Sequence, residues 1–301
     1  MANSIYDISD RKISVVIPSL GGLELEGTID SINASTLKPD EILICLPCNE
    51  TGSFNVSQHD NVRVISTKNK GQVVQRAVGF SQAKNEFVLQ VDDDIILASD
   101  CIEKLYTALK DLGPLASVSP TFYDLNTSAS VYKKVLYKRK WMEKLYYYLI
   151  NGKLGYQMGT VDMTGSPIGV DPERVLDKNY IVEWLPGGCV MHYKNNLVLD
   201  NYFPLQGKAY CEDLIHSLLL TRKNIFLYIN TSSKCFFDNE GYSDLSMLQF
   251  IRMLKTEFRA RRYYLLQKNR YSKRIFVFYI LMISNFIFKR IKRIKHPSGD
   301  N

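Results

Sequence analysis

The chain has 301 residues, 46% of them hydrophobic and 23% charged, which excludes wholesale disorder and supplies material for one large core or two small ones. Its net charge of +7 is unevenly spread: from Ile251 onward there are 14 Lys and Arg against 2 Asp and Glu, which leaves the first 250 residues at −5. A basic tail suits nucleic acid or the anionic face of a membrane, and the apolar content of this one favours the membrane.

Taken in chain order, the first half alternates short apolar runs with helical patterns. Lys12 to Pro18 (KISVVIP) is β-branched and stops at Pro, so it reads as a buried strand. Gly22 to Ala34 reads as a helix, Glu41 to Pro47 (EILICLP) as a second strand and Asn61 to Ser66 (NVRVIS) as a third. Gly71 to Lys84 carries apolar residues at 73, 74, 77, 78 and 80, a helical face. Glu86 to Val91 (EFVLQV) is a fourth strand that runs directly into Asp92-Asp93-Asp94. Asp100 to Asp111 reads as a helix with Asp100 as its N-cap, and Leu115 to Pro120 as a further strand.

This alternation predicts an α/β fold with a doubly wound, mostly parallel sheet flanked by helices. Ligands in such sheets bind beyond the carboxyl ends of the strands. Pro18-Ser19, Pro47-Cys48 and Asp92 to Asp94 all fall at such ends, so three distant segments are expected to converge on one crevice.

The second half is less regular. Val131 to Asn151 is basic and aromatic, with Tyr132, Tyr137, Trp141, Tyr146, Tyr147 and Tyr148. Gly152 to Gly169 reads as a glycine-rich loop, and Ile181 to Tyr193 contains the turn Trp184-Leu185-Pro186-Gly187-Gly188. Tyr210 to Arg222 reads as a helix opened by Glu212-Asp213, and Asn224 to Asn230 as a strand. The tail comprises a basic helix, Leu245 to Lys268, and an apolar run of 14 residues, Ile275 to Phe288, followed by KRIKRIK. That run is short of the roughly 20 residues needed to cross a bilayer, and its basic flank suits lying on an anionic leaflet. Packing of the run on the body is the alternative. The expected organisation is a catalytic domain over 11–240, divided at 125/126 into two halves, and a helical tail over 245–301.

Six cysteines stand at 45, 48, 101, 189, 211 and 235. Only Cys45 and Cys48 have ligand-like spacing, and no second pair completes a zinc site, so free thiols in a reducing compartment are expected. The opening MANSIYDISDRK has no apolar run and does not read as a signal peptide. A cytoplasmic site is therefore expected, peripheral on the inner face of the cell membrane.

The chemistry concentrates in four places. Three adjacent carboxylates repel one another, and a strand that delivers them to the binding edge suits a hard cation, Mn²⁺ or Mg²⁺, holding substrate phosphates. Glu212-Asp213 opens a helix. The pair suits the helix dipole, and it equally suits a general base for an acceptor hydroxyl, with Asp213 the candidate. Lys70-Gly71-Gln72 begins a helix with Arg76 one turn in, an arrangement open to phosphate or simply to solvent. Trp184, Gly187 and Gly188 read either as an acceptor-side platform or as a tight turn around a core Trp.

From about Ile13 to Asn230 these pieces resemble glycosyltransferase family two, whose members have the GT-A fold. The resemblance rests on SVVIPSL at the first strand, Gly71 to Arg76 as the G-x-x-x-x-R helix, VDDDI, WLPGG, and CEDLIHSLLLTRK, in that order. It implies an inverting transferase acting on a nucleotide-sugar donor. Pro18 and Ser19 would line the nucleotide pocket with Gly71, Gln72 and Asp93 beside them, and Arg76 would help position the donor. Asp92 would contact the ribose or the metal, Asp94 would coordinate the metal, and Asp213 would be the base, with Glu212 on the acceptor side. Where the family commonly has an Asp after the second strand, this chain reads CLPCNETGS, with Asn49 or Glu50 as substitutes. That leaves the choice among UDP, GDP and dTDP open.

The tail points to a glycan or lipid-linked acceptor in surface polysaccharide or glycoconjugate synthesis. A sugar nucleotidyltransferase would need a basic loop after the first strand, which PSLGGLELEG lacks. A non-catalytic membrane-surface module would explain the tail and leave Asp92 to Asp94 without a role.

Overall fold

A computed structural model describes residues 11–49, 59–132, 140–152, 155–205, 209–238, 246–270 and 272–295. The chain divides into two compact units, Met1–Lys133 with Val170–Asn239, and Lys134–Gly169 with Glu240–Asn301. Residues 134–169, which the sequence groups with the second half of the 11–240 domain, thus cluster with the C-terminal helices.

Among the described residues, the first unit is built on a nine-stranded sheet. β1 (Ile13–Pro18), β2 (Glu41–Pro47), β3 (Val62–Thr67) and β4 (Phe87–Val91) form the parallel run β3-β2-β1-β4. Between them stand α1 (Glu24–Asn33) and α2 (Gln72–Gln82), and α3 (Cys101–Leu112) follows β4. These are the elements expected from the apolar runs, displaced by a residue or two at their ends.

Both faces of this part of the sheet are covered, as continuous hydrophobic strands require. Ile13, Val15 and Ile17 point into one core with Leu25, Ile102 and Leu105, and Val16 points into another with Phe80 and Leu197. The period of two in β1 thus supplies two cores from one strand.

Beyond β4 the sheet turns mixed. β8 (Cys189–Tyr193) lies antiparallel between β4 and β6 (Ala116–Asp124). β9 (Phe226–Phe237) runs parallel to β6 and takes β5 (Ile96–Leu97) and β7 (Asn179–Val182) antiparallel. The parallel order predicted from strand–helix alternation therefore holds for the first four strands. Insertion of β8 next to β4 has a direct consequence, because it brings the turn at Gly187-Gly188 beside the end of β4. α5 (Glu212–Arg222) follows.

Two local expectations change. Asp100 occupies the N-cap of α3 but makes no capping hydrogen bond, and its carboxylate instead meets Lys104 at 2.7 Å. The buried face of α2 is wider than its apolar pattern, since it contains Gln75, Arg76 and Gly79 besides Val73, Ala77 and Phe80.

The second unit is helical. It contains α4 (Lys140–Asn151), α6 (Met247–Gln267) and α7 (Arg274–Lys295) together with the irregular segment 155–169. α6 opens with a reciprocal capping box between Ser246 and Gln249. Phe250 stacks on Phe286 at 3.8 Å, and Arg274 Nη1 donates to the carbonyls of Tyr148 and Leu149 at 2.6 and 2.8 Å. Arg261, which pairs with Glu257 and Ser166, lies over the Phe278 ring. Along α7, Phe276, Ile280, Ile283, Ile287 and Ile291 remain exposed at helical spacing. Among the described residues no helix is long and apolar enough to cross a membrane.

Candidate active site

A cleft of about 830 Å³ opens at the carboxyl ends of β1 and β4, lined by Pro18, Ser19, Leu20, Gly22, Lys70, Gly71, Gln72, Gln75, Asp92, Asp93, Asp94 and Ala209. This is the crevice expected of a doubly wound sheet. Pro47 and Cys48 lie outside that lining. Asn49 is exposed beside Cys48, and Glu50 lies outside the described residues.

Each wall has a local cause. β1 ends at Pro18, and the Ser19 hydroxyl that follows donates to Asp93 Oδ2 at 2.5 Å while accepting from Gly21 N at 2.9 Å. Thr28 on α1 donates to the Asp93 carbonyl at 2.9 Å, so the acidic turn is held from both its side chain and its backbone. Gly71 caps α2 with a φ of 147°, a left-handed-side value that a side chain would strain. From the first turn of α2, Gln72 Nε2 donates to Asp92 Oδ1 at 2.8 Å.

Arg76, one turn further, is 2% exposed and does not face the cleft. Its Nη2 donates to Asp92 Oδ1 at 3.0 Å and its Nη1 to Glu212 Oε1 at 2.6 Å. The other Glu212 oxygen accepts from the Tyr202 hydroxyl. A fork-shaped guanidinium therefore joins the aspartate turn after β4 to the start of α5. Burial opposes the charge on Arg76, but Glu212 and Asp92 outweigh it and keep the group protonated.

The glycine turn closes this array. The Asp92 N–H donates to the Gly188 carbonyl at 2.9 Å, and Gln90 donates to the Gly187 carbonyl. A Cβ on Gly187 would stand 2.9 Å from Glu212 Oε1 and 3.4 Å from the Asp213 Cβ. A Cβ on Gly188 would stand 3.5 Å from Asp92 Oδ2. Close approach to Glu212, rather than an unusual φ, requires a glycine at 187, whereas the tightest neighbour of a Cβ at 188 is the Phe122 ring at 3.3 Å. Trp184, read from sequence as part of a platform, is only 4% exposed and meets Tyr132 edge-on at 5.9 Å, so its ring is a core ring.

Burial and charge tune the site. Burial pushes Asp92 up to about 6 against the pull of Arg76. Burial, reinforced by Glu212, raises Asp213 to about 7, even though its Oδ1 accepts from Leu214 N at 2.9 Å. His216, stacked on Tyr202 at 5.5 Å, is lowered by burial and then by Arg76 to about 3 and stays neutral. His192 is likewise neutral and meets the Ser117 hydroxyl at 2.8 Å.

Among the described residues no group of three His, Cys, Asp or Glu side chains is placed to hold a metal ion. One oxygen of Asp92 is committed to Gln72 and Arg76, and one of Asp93 to Ser19. Asp92 and Asp94, both hard carboxylate donors, line the cleft. That donor set fits a cation held by one or two carboxylates and completed by ligand phosphates, the usual habit of Mg²⁺.

Sequence reading missed Gln75, Gln90 and Tyr202. Each is a polar residue within or beside an apolar pattern, and only its three-dimensional partners reveal its function. Gln75 falls on the side of α2 away from the apolar stripe, so the sequence pattern carried no signal of its burial.

The strand order and the cleft beyond the strand ends define an α/β architecture with its crevice at one edge of the sheet. The chain resembles a crystal structure titled GalNAc-T7 with UDP, GalNAc and Mn²⁺, with a TM-score of 0.53 and 14% identity. That match covers 84% of this chain and 50% of the other, and it shows the GT-A fold. A cholesterol galactosyltransferase of Borreliella burgdorferi is 30% identical over 105 residues, covering 33% of this chain and 29% of the relative. The chain thus spans half or less of the length of these two proteins. The glycosyl transferase family 2 profile matches residues 14–172, more than half of the chain. The protein belongs to glycosyl transferase family 2.

Proposed function

We propose that the protein is an inverting, metal-dependent glycosyltransferase that moves a sugar from a nucleotide donor to a hydroxyl acceptor. The observation that carries this reading is the Arg76 bridge, which holds the cleft carboxylate Asp92 and the Glu212-Asp213 pair in one array. The donor would lie in the cleft between Ser19, Gly71, Gln72 and the acidic turn. Asp92 and Asp94 would hold Mn²⁺ or Mg²⁺, which when bound neutralises charge on the diphosphate leaving group.

Asp213 is the base in this reading. It takes the proton from the acceptor hydroxyl as that oxygen attacks the anomeric carbon from the face opposite the leaving nucleoside diphosphate. One bond forms as one breaks, so the configuration inverts and no second nucleophile is needed. A pKa near 7 suits this role, since the group is available as a base near neutral pH and still basic enough to accept a proton. Arg76 and Glu212 act from beneath, fixing Asp92 and the first turn of α5.

The acceptor would be a glycan or a lipid-linked glycan in surface polysaccharide or glycoconjugate synthesis, met at the inner face of the cell membrane. The support is the exposed stripe of α7, from Phe276 to Ile291, joined to the basic residues that end the helix. An apolar face with a cationic end matches the interface of an anionic leaflet. The test is transfer from a panel of nucleotide sugars to a soluble acceptor analogue, comparing wild type with Asp213→Asn. Loss of transfer with retained donor binding is expected, and normal turnover by the variant would overturn the assignment of the base.

A further inference from the structure

We infer that Gln75 is a positioning residue that assembles the donor cleft before any ligand enters. The inference rests on the reading of this cleft as the donor site.

Gln75 is 1% exposed on the buried face of α2. A buried amide must find partners for both its ends, and this one uses them to join three segments. Its Nε2 donates to the Ser19 carbonyl at 2.7 Å and to the Cys45 carbonyl at 2.6 Å. Its Oε1 accepts from Gly71 N at 3.0 Å. Ser19 and Gly71 both line the cleft, whereas Cys45 lies inside β2. The amide therefore fixes the loop after β1 and the start of α2 against a rigid strand. Through Ser19 the constraint reaches Asp93, whose carboxylate the Ser19 hydroxyl contacts.

A second observation explains how a side chain on α2 can reach strand carbonyls at all. One turn beyond Gln75, a Cβ on Gly79 would lie 2.4 Å from Val16 Cγ1 and 2.6 Å from Cys45 Sγ. Only a glycine lets the helix lie this close to β1 and β2. Gly79 sets the separation and Gln75 makes the connections, and both converge on Cys45.

Gln75 borders the cleft, but both ends of its amide are spent on backbone groups. It sets the mutual position of Ser19, Gly71 and the acidic turn. Its loss should therefore weaken donor binding and leave the bond-making step at Asp213 largely intact. A residue that merely packs the core would lower stability without separating these two quantities.

The test uses the full chain with UDP, GDP and dTDP in Mn²⁺, measuring Kd by calorimetry and donor KM and kcat by transfer to a soluble acceptor analogue. Gln75→Met keeps the length of the side chain and removes all three hydrogen bonds. We expect a rise of about 10- to 100-fold in Kd and donor KM, as for displacements of about 1 Å in a binding site, with kcat within about threefold of wild type. Gln75→Glu keeps an acceptor for Gly71 but turns a carboxylate toward two carbonyls, and should weaken binding at least as much. Gln75→Asn, too short to reach all three partners, provides the same comparison should the Met variant fail to fold. A folded variant that binds nucleotide within about twofold of wild type, or one that loses kcat and KM in equal measure, would overturn the inference. Absence of nucleotide binding by the wild-type chain would instead overturn the donor-site reading, and the inference with it.

Discussion

Arg76 on α2 and Glu212 on α5, 136 residues apart in sequence, meet at 2.6 Å in a site from which both side chains are almost wholly excluded from water. The same guanidinium holds Asp92 at 3.0 Å. Removing one partner of a buried pair leaves charge without compensation, which costs about 3–5 kcal/mol. Arg76→Ala leaves two carboxylates in that position and should destabilise the fold by at least this amount, read as a fall in the urea midpoint. Arg76→Lys keeps the charge but not the fork, so it should recover only part of the loss. An Ala variant as stable as wild type would mean that the bridge does not organise the site.

Asp213 has a pKa near 7 because burial, followed by Glu212, disfavours its charged form. A base must be deprotonated to accept a proton, so kcat/KM should rise with pH below about 7 and level off above it. Asp213→Asn should lower kcat by about 10²- to 10⁴-fold with nucleotide Kd nearly unchanged. The linkage runs the other way for stability. A carboxyl whose folded pKa lies above its usual 3.8 favours the fold below that value and loses this contribution as pH rises to about 7. The Asn variant lacks that penalty, so its stability relative to wild type should grow between about pH 4 and pH 7 in denaturation curves. A constant difference across that window would contradict the raised pKa of Asp213.

Much of the first half was legible because its signals are local. β1, β2 and β4 are continuous apolar runs that stop at Pro or Asp, and the acidic turn follows β4 without a gap. The carboxylates, Ser19, Gly71 and Gln72 could be assigned to one crevice because strand ends converge in such a sheet. What remained hidden depends on non-local pairing. β8 is five residues long, and nothing in CVMHY announces that it will lie antiparallel beside β4. Arg76 looked like a surface arginine near a phosphate site, whereas its partners come from Asp92 and Glu212. Trp184 read either as a stacking platform or as a core ring, and only its burial and its edge-on contact with Tyr132 tell the two apart. Residues 134–169 read as a continuation of the catalytic domain because a sequence does not reveal that distant helices will claim them.

The exposed stripe on α7 predicts a surface-active helix. On vesicles of phosphatidylcholine with phosphatidylglycerol, the full chain should float with the lipid, and less so as salt is raised. Ile280→Glu with Ile287→Glu should abolish flotation while leaving transfer to a soluble acceptor within about twofold, since neither residue belongs to the cleft. Equal binding to pure phosphatidylcholine would argue against an anionic surface as the partner.

The most direct test of the account is calorimetric titration of the wild type and Asp94→Ala with UDP-, GDP- and dTDP-sugars, in Mn²⁺ and in chelator. The account predicts that one nucleotide class binds wild type in Mn²⁺ and binds much more weakly in chelator. It also predicts that Asp94→Ala weakens binding only when the metal is present. Metal-independent binding, an equal loss in both conditions, or no binding of any nucleotide sugar would contradict it.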